Sequence, residues 1–150
     1  MLLSSLLLGA VAHAQGLNDK ADNIVGEYLT DRGGSKSKVR ITKTAYNTYE
    51  ARVFWVENPL DKDGNKRKDT KNPDKSLRSV DIDKVLLVSG LKYDAEDKEW
   101  NDAKIYDPTK GMHVNVKMKF ESEDKLKLRA SFLGIPKTLY WQKLSSAKKQ

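Results

Sequence analysis

Apolar and basic residues alternate one for one along two segments in the second half of the chain. Residues 113–120 read HVNVKMKF, and residues 125–132 read KLKLRASF. Successive side chains of a β-strand point to opposite faces, so this period of two predicts strands with one buried and one solvated face. No long window shows the 3.6-residue period of an amphipathic helix. The chain is therefore predicted to be all-β.

Shorter segments elsewhere combine β-branched and aromatic residues and end at Gly, Pro, Asn or Asp, which favour turns. With the two alternating segments they give about eight to nine candidate strands, separated by turn signals roughly every 8–12 residues. This series predicts an antiparallel up-and-down β-barrel, because closing a sheet on itself removes its exposed edges. The other candidate strands are residues 24–30, 38–43, 49–56, 85–88, 100–106 and 138–144.

Residues 57–76, ENPLDKDGNKRKDTKNPDKS, interrupt the series of strands and predict a long charged loop. Loops of this length are usually functional or disordered. Oxygen-bearing side chains at alternate positions from Asp61 onward imitate a calcium loop, but Gly64 stands fourth instead of sixth and Asn72 replaces the glutamate in twelfth place. Lysine and arginine side chains also interleave with these ligands. We therefore predict no metal site here and place the loop at the opening of the barrel.

The first fourteen residues, MLLSSLLLGAVAHA, resemble a secretory signal peptide. An apolar stretch of about 7–15 residues followed by a small-x-small site is typical of such signals, whereas a transmembrane helix needs roughly 20 apolar residues. We expect cleavage after Ala14 and an exported protein, periplasmic or secreted, without a transmembrane segment. Residues 15–23 are then a lead-in, residues 24–144 a single β-barrel domain, and residues 145–150 a flexible basic tail.

The residue inventory excludes several classes of enzyme. There is no cysteine, so no disulfide, thiolate nucleophile or thiolate zinc site can form. Beyond the signal segment the only histidine is His113, which alternation places on the solvent side of its strand with Lys117. A Ser-His-Asp nucleophile needs an imidazole as its base, and phosphate-loop, dinucleotide and nucleophile-elbow motifs are absent. We expect a non-enzymatic protein with no catalytic residue and no cofactor.

Asp107 is the best candidate for an exception. It follows Tyr106 at the end of a strand that also contains Trp100. A carboxylate among aromatic rings can act as an acid with a raised pKa, which leaves a glycan hydrolase as a less favoured alternative. That chemistry needs a second carboxylate roughly 5–10 Å away. More often an Asp before Pro, here Pro108, starts a turn by accepting hydrogen bonds from backbone amides.

Positive charge follows the strands, and the formal net charge is +7. Neighbouring strands of this kind would form a basic wall, whose simplest role is solubility and protection against edge-to-edge aggregation. Such a wall also attracts anionic surfaces, so an envelope interaction protein is the alternative function. An exported protein is not expected to bind nucleic acid. The basic residues opposite apolar positions are Lys38, Arg40, Lys43, Lys117, Lys119, Lys125, Lys127 and Arg129.

A series of short motifs in fixed order resembles the secreted bacterial family called domain of unknown function 2147. The likeness covers roughly residues 25–144 and implies a calycin-like β-barrel, akin to lipocalins and fatty-acid-binding proteins, but no established activity. The chain departs from the family pattern near Ala103 and at Ala130, where the family usually has glycine. The motifs are Val39-Arg40-Ile41, Arg52-Val53-Phe54-Trp55, Asp69-Thr70-Lys71-Asn72-Pro73, Leu77-Arg78, Gly90-Leu91, Trp100, Ile105-Tyr106-Asp107-Pro108, Gly111, Leu126-Lys127-Leu128-Arg129, Leu133-Gly134-Ile135 and Trp141.

The prediction for function is binding of an apolar or amphipathic small molecule, with or without an acid group. It rests on strands that mix aromatic and basic residues in a chain with only 38% hydrophobic residues, since small barrels can hold one ligand inside. Arg52 or Arg129 is predicted to pair with the acid group. Trp55 and Trp100 are predicted to contact the apolar part, and Tyr106 and Asp107 to border the opening with the long loop.

Overall fold

The computed structural model describes residues 16–145, and of Ser145 the backbone alone. These residues form eight antiparallel strands that close into an up-and-down barrel, so the predicted all-β barrel is confirmed. The predicted signal peptide, residues 1–14, and residues 146–150 of the predicted tail lie outside the described residues. The strands are β1 (Gly26–Arg32), β2 (Ser35–Lys43), β3 (Tyr49–Val56), β4 (Leu86–Asp94), β5 (Glu99–Asp107), β6 (Met112–Ser122), β7 (Lys125–Phe132) and β8 (Ile135–Ser145).

The alternating sequence of β6 and β7 determines which residues face the interior. Across this pair Met118 lies opposite Leu128, and Phe120 lies opposite Leu126. All four side chains are buried, while the lysines between them point outward. Burial of one apolar face on the inside of the barrel is the main favourable contribution to folding.

A β-bulge in β3 and another in β5 change which residues face inward. In the pairing of β2 with β3, Lys38 lies opposite Trp55 and Val39 opposite Val53, so Phe54 is an inserted residue. A bulge shifts the alternation by one position, and Val56 takes the inward place. In β5 the register moves between Trp100 and Ala103, and Asp102 there has a φ of 60°.

The barrel closes through a short seam between its first and last strands. Only Glu27, Tyr28 and Leu29 of β1 pair with β8 in the described part of the chain, and the register shifts within these three. The outer half of β8 pairs with β7 alone, from Ile135 opposite Phe132 to Trp141 opposite Leu126. Beyond Leu29 the two strands therefore separate.

Residues 16–24 plug one end of the barrel, called here the closed end. A 3₁₀ turn, Ala21–Ile24, holds buried Ile24. The Asn18 amide donates to the carbonyl of Phe120 at 3.0 Å and accepts from its backbone N–H at 2.8 Å. The indole of Trp100 donates to the carbonyl of Ala21 at 3.0 Å. These bonds satisfy polar groups that the plug would otherwise bury without partners.

The opposite, open end is covered by the segment between β3 and β4, residues 57–85, called here the cover loop. It contains two 3₁₀ turns, Lys75–Leu77 and Ile82–Lys84. Antiparallel bridges join Leu60 to Lys66 and Lys68 to Asp81. The long loop expected from the sequence is thus an ordered cover held by its own backbone bonds.

Candidate functional site

A cavity of about 590 Å³ lies at the open end, between the barrel strands and the cover loop. Its size falls within the roughly 300–1,000 Å³ of ordinary small-molecule sites. The indole of Trp141 lines it, and so do Thr30 and Ser37. Its apolar wall is formed by Val53, Val56, Ile82, Leu87, Ile105 and Leu139.

Four cationic side chains lie at the mouth of this cavity, where only two anionic side chains, Asp31 and Asp61, are among the lining residues. Arg32 and Lys68 each form an ion pair, with Asp107 and Asp81 respectively. The other two, Arg67 and Lys71, bind only backbone carbonyls, those of Asn58 at 2.8 Å and Thr109 at 2.9 Å. Among the described residues, no carboxylate forms an ion pair with either of these two cations.

A buried polar cluster fastens the cover loop to β5. Asp69 is 2% exposed and Asn72 is 5% exposed. The hydroxyl of Tyr106 donates to Asp69 Oδ1 at 2.8 Å, and the Asn72 amide donates to Asp69 Oδ2 at 2.8 Å. Burial, together with the hydrogen bond to Asp69, raises the pKa of Tyr106, so its hydroxyl stays a proton donor. Arg78 completes the cluster by donating to the carbonyl of Asn72 at 2.7 Å.

Close packing at Gly111 brings the cover loop against the turn between β5 and β6. Gly111 has a φ of 65°, and a Cβ atom there would overlap the carbonyl oxygen of Lys71. Only glycine meets both requirements without strain. The backbone of the cover loop is thus held next to the β5–β6 turn.

Asp107 forms a bidentate pair with Arg32, with N–O distances of 3.0 and 2.9 Å. Its Oδ1 also accepts hydrogen bonds from the backbone N–H and the hydroxyl of Thr109. Burial by itself raises the pKa of this carboxyl, but the bonds from Arg32 and Thr109 outweigh it and lower the pKa to about 2. A general acid needs a shift in the other direction, which argues against Asp107 as the acid of a hydrolase.

The sequence profile of a bacterial family matches residues 26–143, which is the whole barrel except the end of β8. That family is described as uncharacterised proteins conserved in bacteria, DUF2147. The chain belongs to the DUF2147 family. The resemblance seen in the sequence is confirmed.

A solved structure shares the fold of this DUF2147 chain. It is protein HP1028 from the human pathogen Helicobacter pylori, described as belonging to the lipocalin family. The two are 26% identical, the match covers 84% of this chain and 85% of HP1028, and the TM-score is 0.65. No protein of curated function matches the chain. Among residues 16–145, no helix is long and apolar enough to cross a membrane.

Of the six residues predicted for the ligand site, the structure places one in the cavity wall and one beside it. Tyr106 lines the cavity, and Asp107 lies next to its lining residues Pro108 and Thr109. Trp100 is fully buried near the closed end, packed edge-on against Phe120 with ring centroids 5.9 Å apart. It therefore belongs to the core below the cavity.

The other three predicted site residues, Arg52, Trp55 and Arg129, lie on the outer wall of the barrel. Arg52 and Arg129 occupy the outward positions of the alternation, so neither points toward an acid group inside. The bulge turns Trp55 outward, where it is 39% exposed and lies under the ammonium of Lys38 at 5.1 Å. Such cation–π contacts stabilise an aromatic ring at the surface.

Sequence reasoning missed the residues that shape the mouth. Arg67 and Lys71 are in the loop predicted to border the opening of the barrel, but neither was predicted as a site residue, although Lys71 lies within the Asp69–Pro73 motif. Trp141 is not among the six residues predicted for the ligand site. Its spacing of two from Leu139, which also lines the cavity, is the signal that places both on the inner face.

Proposed function

We propose that this DUF2147 protein is a non-enzymatic binding module for an amphipathic small molecule with an acid group. The observation that carries the proposal is the division of the cavity into an apolar wall within the barrel and a cationic mouth. An acyl or other apolar body would replace water along Val53, Leu87 and Ile105. Its anionic group would lie near Arg67 and Lys71, whose charges have no carboxylate partner in the described part of the chain.

The fold of the neighbouring structure supports this proposal at the level of class. Lipocalin-like barrels enclose an interior large enough for one small ligand. Apolar contact provides most of the affinity in such a site, while a few charged groups fix orientation and specificity. The proposed roles therefore differ: the barrel wall binds the apolar body, and the cover loop selects the charge.

The test compares three probes of one chain length: dodecanoate, dodecanol and dodecyltrimethylammonium. At concentrations below the micellar limit of the two ionic probes and the solubility limit of dodecanol, isothermal titration calorimetry should show one site, with dodecanoate binding tightest. Intrinsic fluorescence should change as well, because Trp141 lines the cavity. Absence of binding by all three probes, or equal affinity for the carboxylate and the quaternary ammonium, would contradict the proposal.

Matched variants separate charge from shape. The double variant Arg67→Gln, Lys71→Gln should bind dodecanoate at least about tenfold more weakly and leave dodecanol unaffected, since a hydrogen bond to a charged group is worth about 1.5–3 kcal/mol. Arg129→Gln on the outer wall is the control and should change neither affinity. Leu139→Trp should block both probes by filling the cavity.

A second candidate function, binding to anionic surfaces, is favoured by the outer wall of β6 and β7. Two pairs of like charges face each other there, Lys117 with Arg129 and Lys119 with Lys127. Like charges directly opposite in a sheet are destabilising, so solubility alone is a weak reason for this arrangement. Binding to anionic vesicles that fades as salt is raised to about 0.5 M would support this function, and binding insensitive to salt would argue against it.

We also propose export, with residues 1–14 as the signal. Expression of the full chain in a bacterial host should yield periplasmic protein. Its intact mass should be that of a chain beginning at Gln15. Cytoplasmic protein that retains Met1 to Ala14 would contradict this proposal.

A further inference from the structure

The turn that joins β7 to β8 carries large apolar side chains into solvent. Leu133 is 84% exposed, Ile135 is 71% exposed and Phe132 is 43% exposed. Tyr140, on the outward face of β8, is 46% exposed. Contiguous exposed apolar residues rimmed by polar ones mark interaction sites. Phe132, Leu133 and Ile135 are called here the β7–β8 tip.

The residues of this turn are not those that would make the turn most stable. Phe132 and Ile135 pair across a two-residue loop, in which Leu133 has a φ of 51° and Gly134 a φ of 78°. Turns with two positive φ values strongly favour Asn, Asp or Gly in both places. The β1–β2 turn, at the same end of the barrel, uses Gly33 and Gly34. A branched apolar residue at position 133 makes the turn less stable and exposes more apolar surface.

The strands below the tip carry unpaired positive charge. Arg129 and Lys137 lie within a few residues of the turn on its two arms, and Lys127 lies further along β7. Within residues 16–145, none of these three cations forms an ion pair with a carboxylate. The apolar apex suits the boundary of the acyl chains in a bilayer. The cations behind it suit a layer of anionic headgroups.

The tip lies beside the place where the barrel wall is open. Above Leu29 the seam between β1 and β8 is unpaired. An outer groove of about 420 Å³ runs along this seam and shares Asp31, Tyr140 and Trp141 with the wall of the inner cavity. The tip and the unpaired part of the seam therefore lie at the same end of the barrel.

We propose that the β7–β8 tip inserts into the interfacial layer of a membrane containing anionic lipids. In this position Arg129 and Lys137 contact headgroups and the open seam faces the bilayer surface. The inference rests on the second candidate function, binding to anionic surfaces, and is independent of what the cavity holds.

The charges also decide between a membrane and a second copy of the chain as the occupant. Two tips packed against each other would bring the cationic arms of both copies together. Like charges without compensating carboxylates oppose that association. An anionic lipid surface instead takes up the apolar apex and neutralises the arms.

The test is co-sedimentation of the protein with vesicles of phosphatidylcholine containing about a third phosphatidylglycerol, and with vesicles of phosphatidylcholine alone. The tip variant is Leu133→Asn, Ile135→Thr. Asparagine suits a positive φ and threonine suits a strand, so the melting temperature should not fall. We expect the tip variant to partition into anionic vesicles at least about tenfold more weakly than the native protein.

Tyr46→Ser is the matched control, because Tyr46 is 87% exposed in the turn between β2 and β3 at the closed end. It should leave vesicle binding unchanged. Phe132→Trp provides a direct reading of insertion. Its additional fluorescence should shift to the blue with anionic vesicles and be quenched by lipids brominated on the acyl chain.

Each other outcome overturns the proposal in a distinguishable way. Salt-sensitive binding that is undiminished in the tip variant would retain the surface-binding function and refute insertion of the tip. No binding to any anionic vesicle would refute both. A native dimer in sedimentation velocity that becomes a monomer in the tip variant would assign the tip to a second copy.

Discussion

Removing one hydroxyl from the polar cluster under the cover loop should measurably destabilise the protein. In Tyr106→Phe the ring still fills its place beside the cavity, but Asp69 loses the donor at 2.8 Å from Oδ1. Asp69 is 2% exposed, so little water can replace the lost bond. The Asn72 amide remains the donor to the other oxygen.

The magnitude follows from the charge of the acceptor. A hydrogen bond to a charged group contributes about 1.5–3 kcal/mol, against about 0.5–1.5 kcal/mol for a neutral pair. We therefore expect a loss of about 1.5–3 kcal/mol. In a domain of this size that corresponds to a fall in melting temperature of roughly 5–10 °C.

The assay is urea unfolding followed by tryptophan fluorescence, with hydrogen exchange of residues 57–85 as a local measurement. Tyr28→Phe is the matched control, because the Tyr28 hydroxyl donates to a neutral backbone carbonyl, that of Ile24, at 2.6 Å. It should cost less than Tyr106→Phe. In the Asp69→Asn background the effect of Tyr106→Phe should fall by about 1 kcal/mol, since the acceptor has lost its charge.

The reasoning is refuted if Tyr106→Phe costs less than about 0.5 kcal/mol, or if it costs the same with Asp69 and with Asn at that position. Exchange in the cover loop that does not increase would show that the cluster does not fasten the loop.

Three further outcomes are expected. Gly111→Ala should destabilise by about 2 kcal/mol or more in urea unfolding, because its Cβ would overlap the Lys71 carbonyl; a native-like midpoint would contradict the packing. Asp102→Gly should raise the free energy of unfolding by about 0.5–1 kcal/mol, since a φ of 60° strains a residue with a Cβ; destabilisation would contradict this account of the bulge. At alkaline pH the unfolded chain ionises its tyrosines near pH 10, while burial raises the folded pKa of the three core tyrosines. Stability should therefore fall above about pH 10, by up to about 1.4 kcal/mol per pH unit for each. The three tyrosines are Tyr28, Tyr49 and Tyr106. An unfolding free energy that does not change between pH 10 and 12 would contradict this expected loss of stability.

The barrel could be predicted from the sequence because alternation is a local property. Residues 113–132 show which face of β6 and β7 is apolar, and strands that follow one another pair as hairpins. His113 is exposed, as alternation predicted. The range of β3 was predicted as observed, but no local pattern predicts the bulge at Phe54 that places Trp55 on the outer wall.

The candidate site depended on long-range placement, which periodicity does not contain. The bulge between Trp100 and Ala103 shifts the alternation of β5, so periodicity alone does not place Trp100 inside the barrel. That it lies near the closed end follows from the contact with Ala21, which is 79 positions away. Likewise the cationic mouth exists because Asp69 binds Tyr106 across the open end. The Asp69–Pro73 motif contributes to the family resemblance but does not show to which strand the loop is fastened.

The short seam between β1 and β8 has a consequence for the order in which the chain folds. Among residues 16–145, seven of the eight strand pairings join consecutive strands, and only this one joins the first strand to the last. Local hairpins form quickly, whereas closing a loop of more than a hundred residues is slow and entropically costly. The meander of β1 to β7 can therefore form while the chain is still emerging from a ribosome or translocon. The barrel itself is completed last, by the strand that also supplies Trp141 and the second arm of the tip.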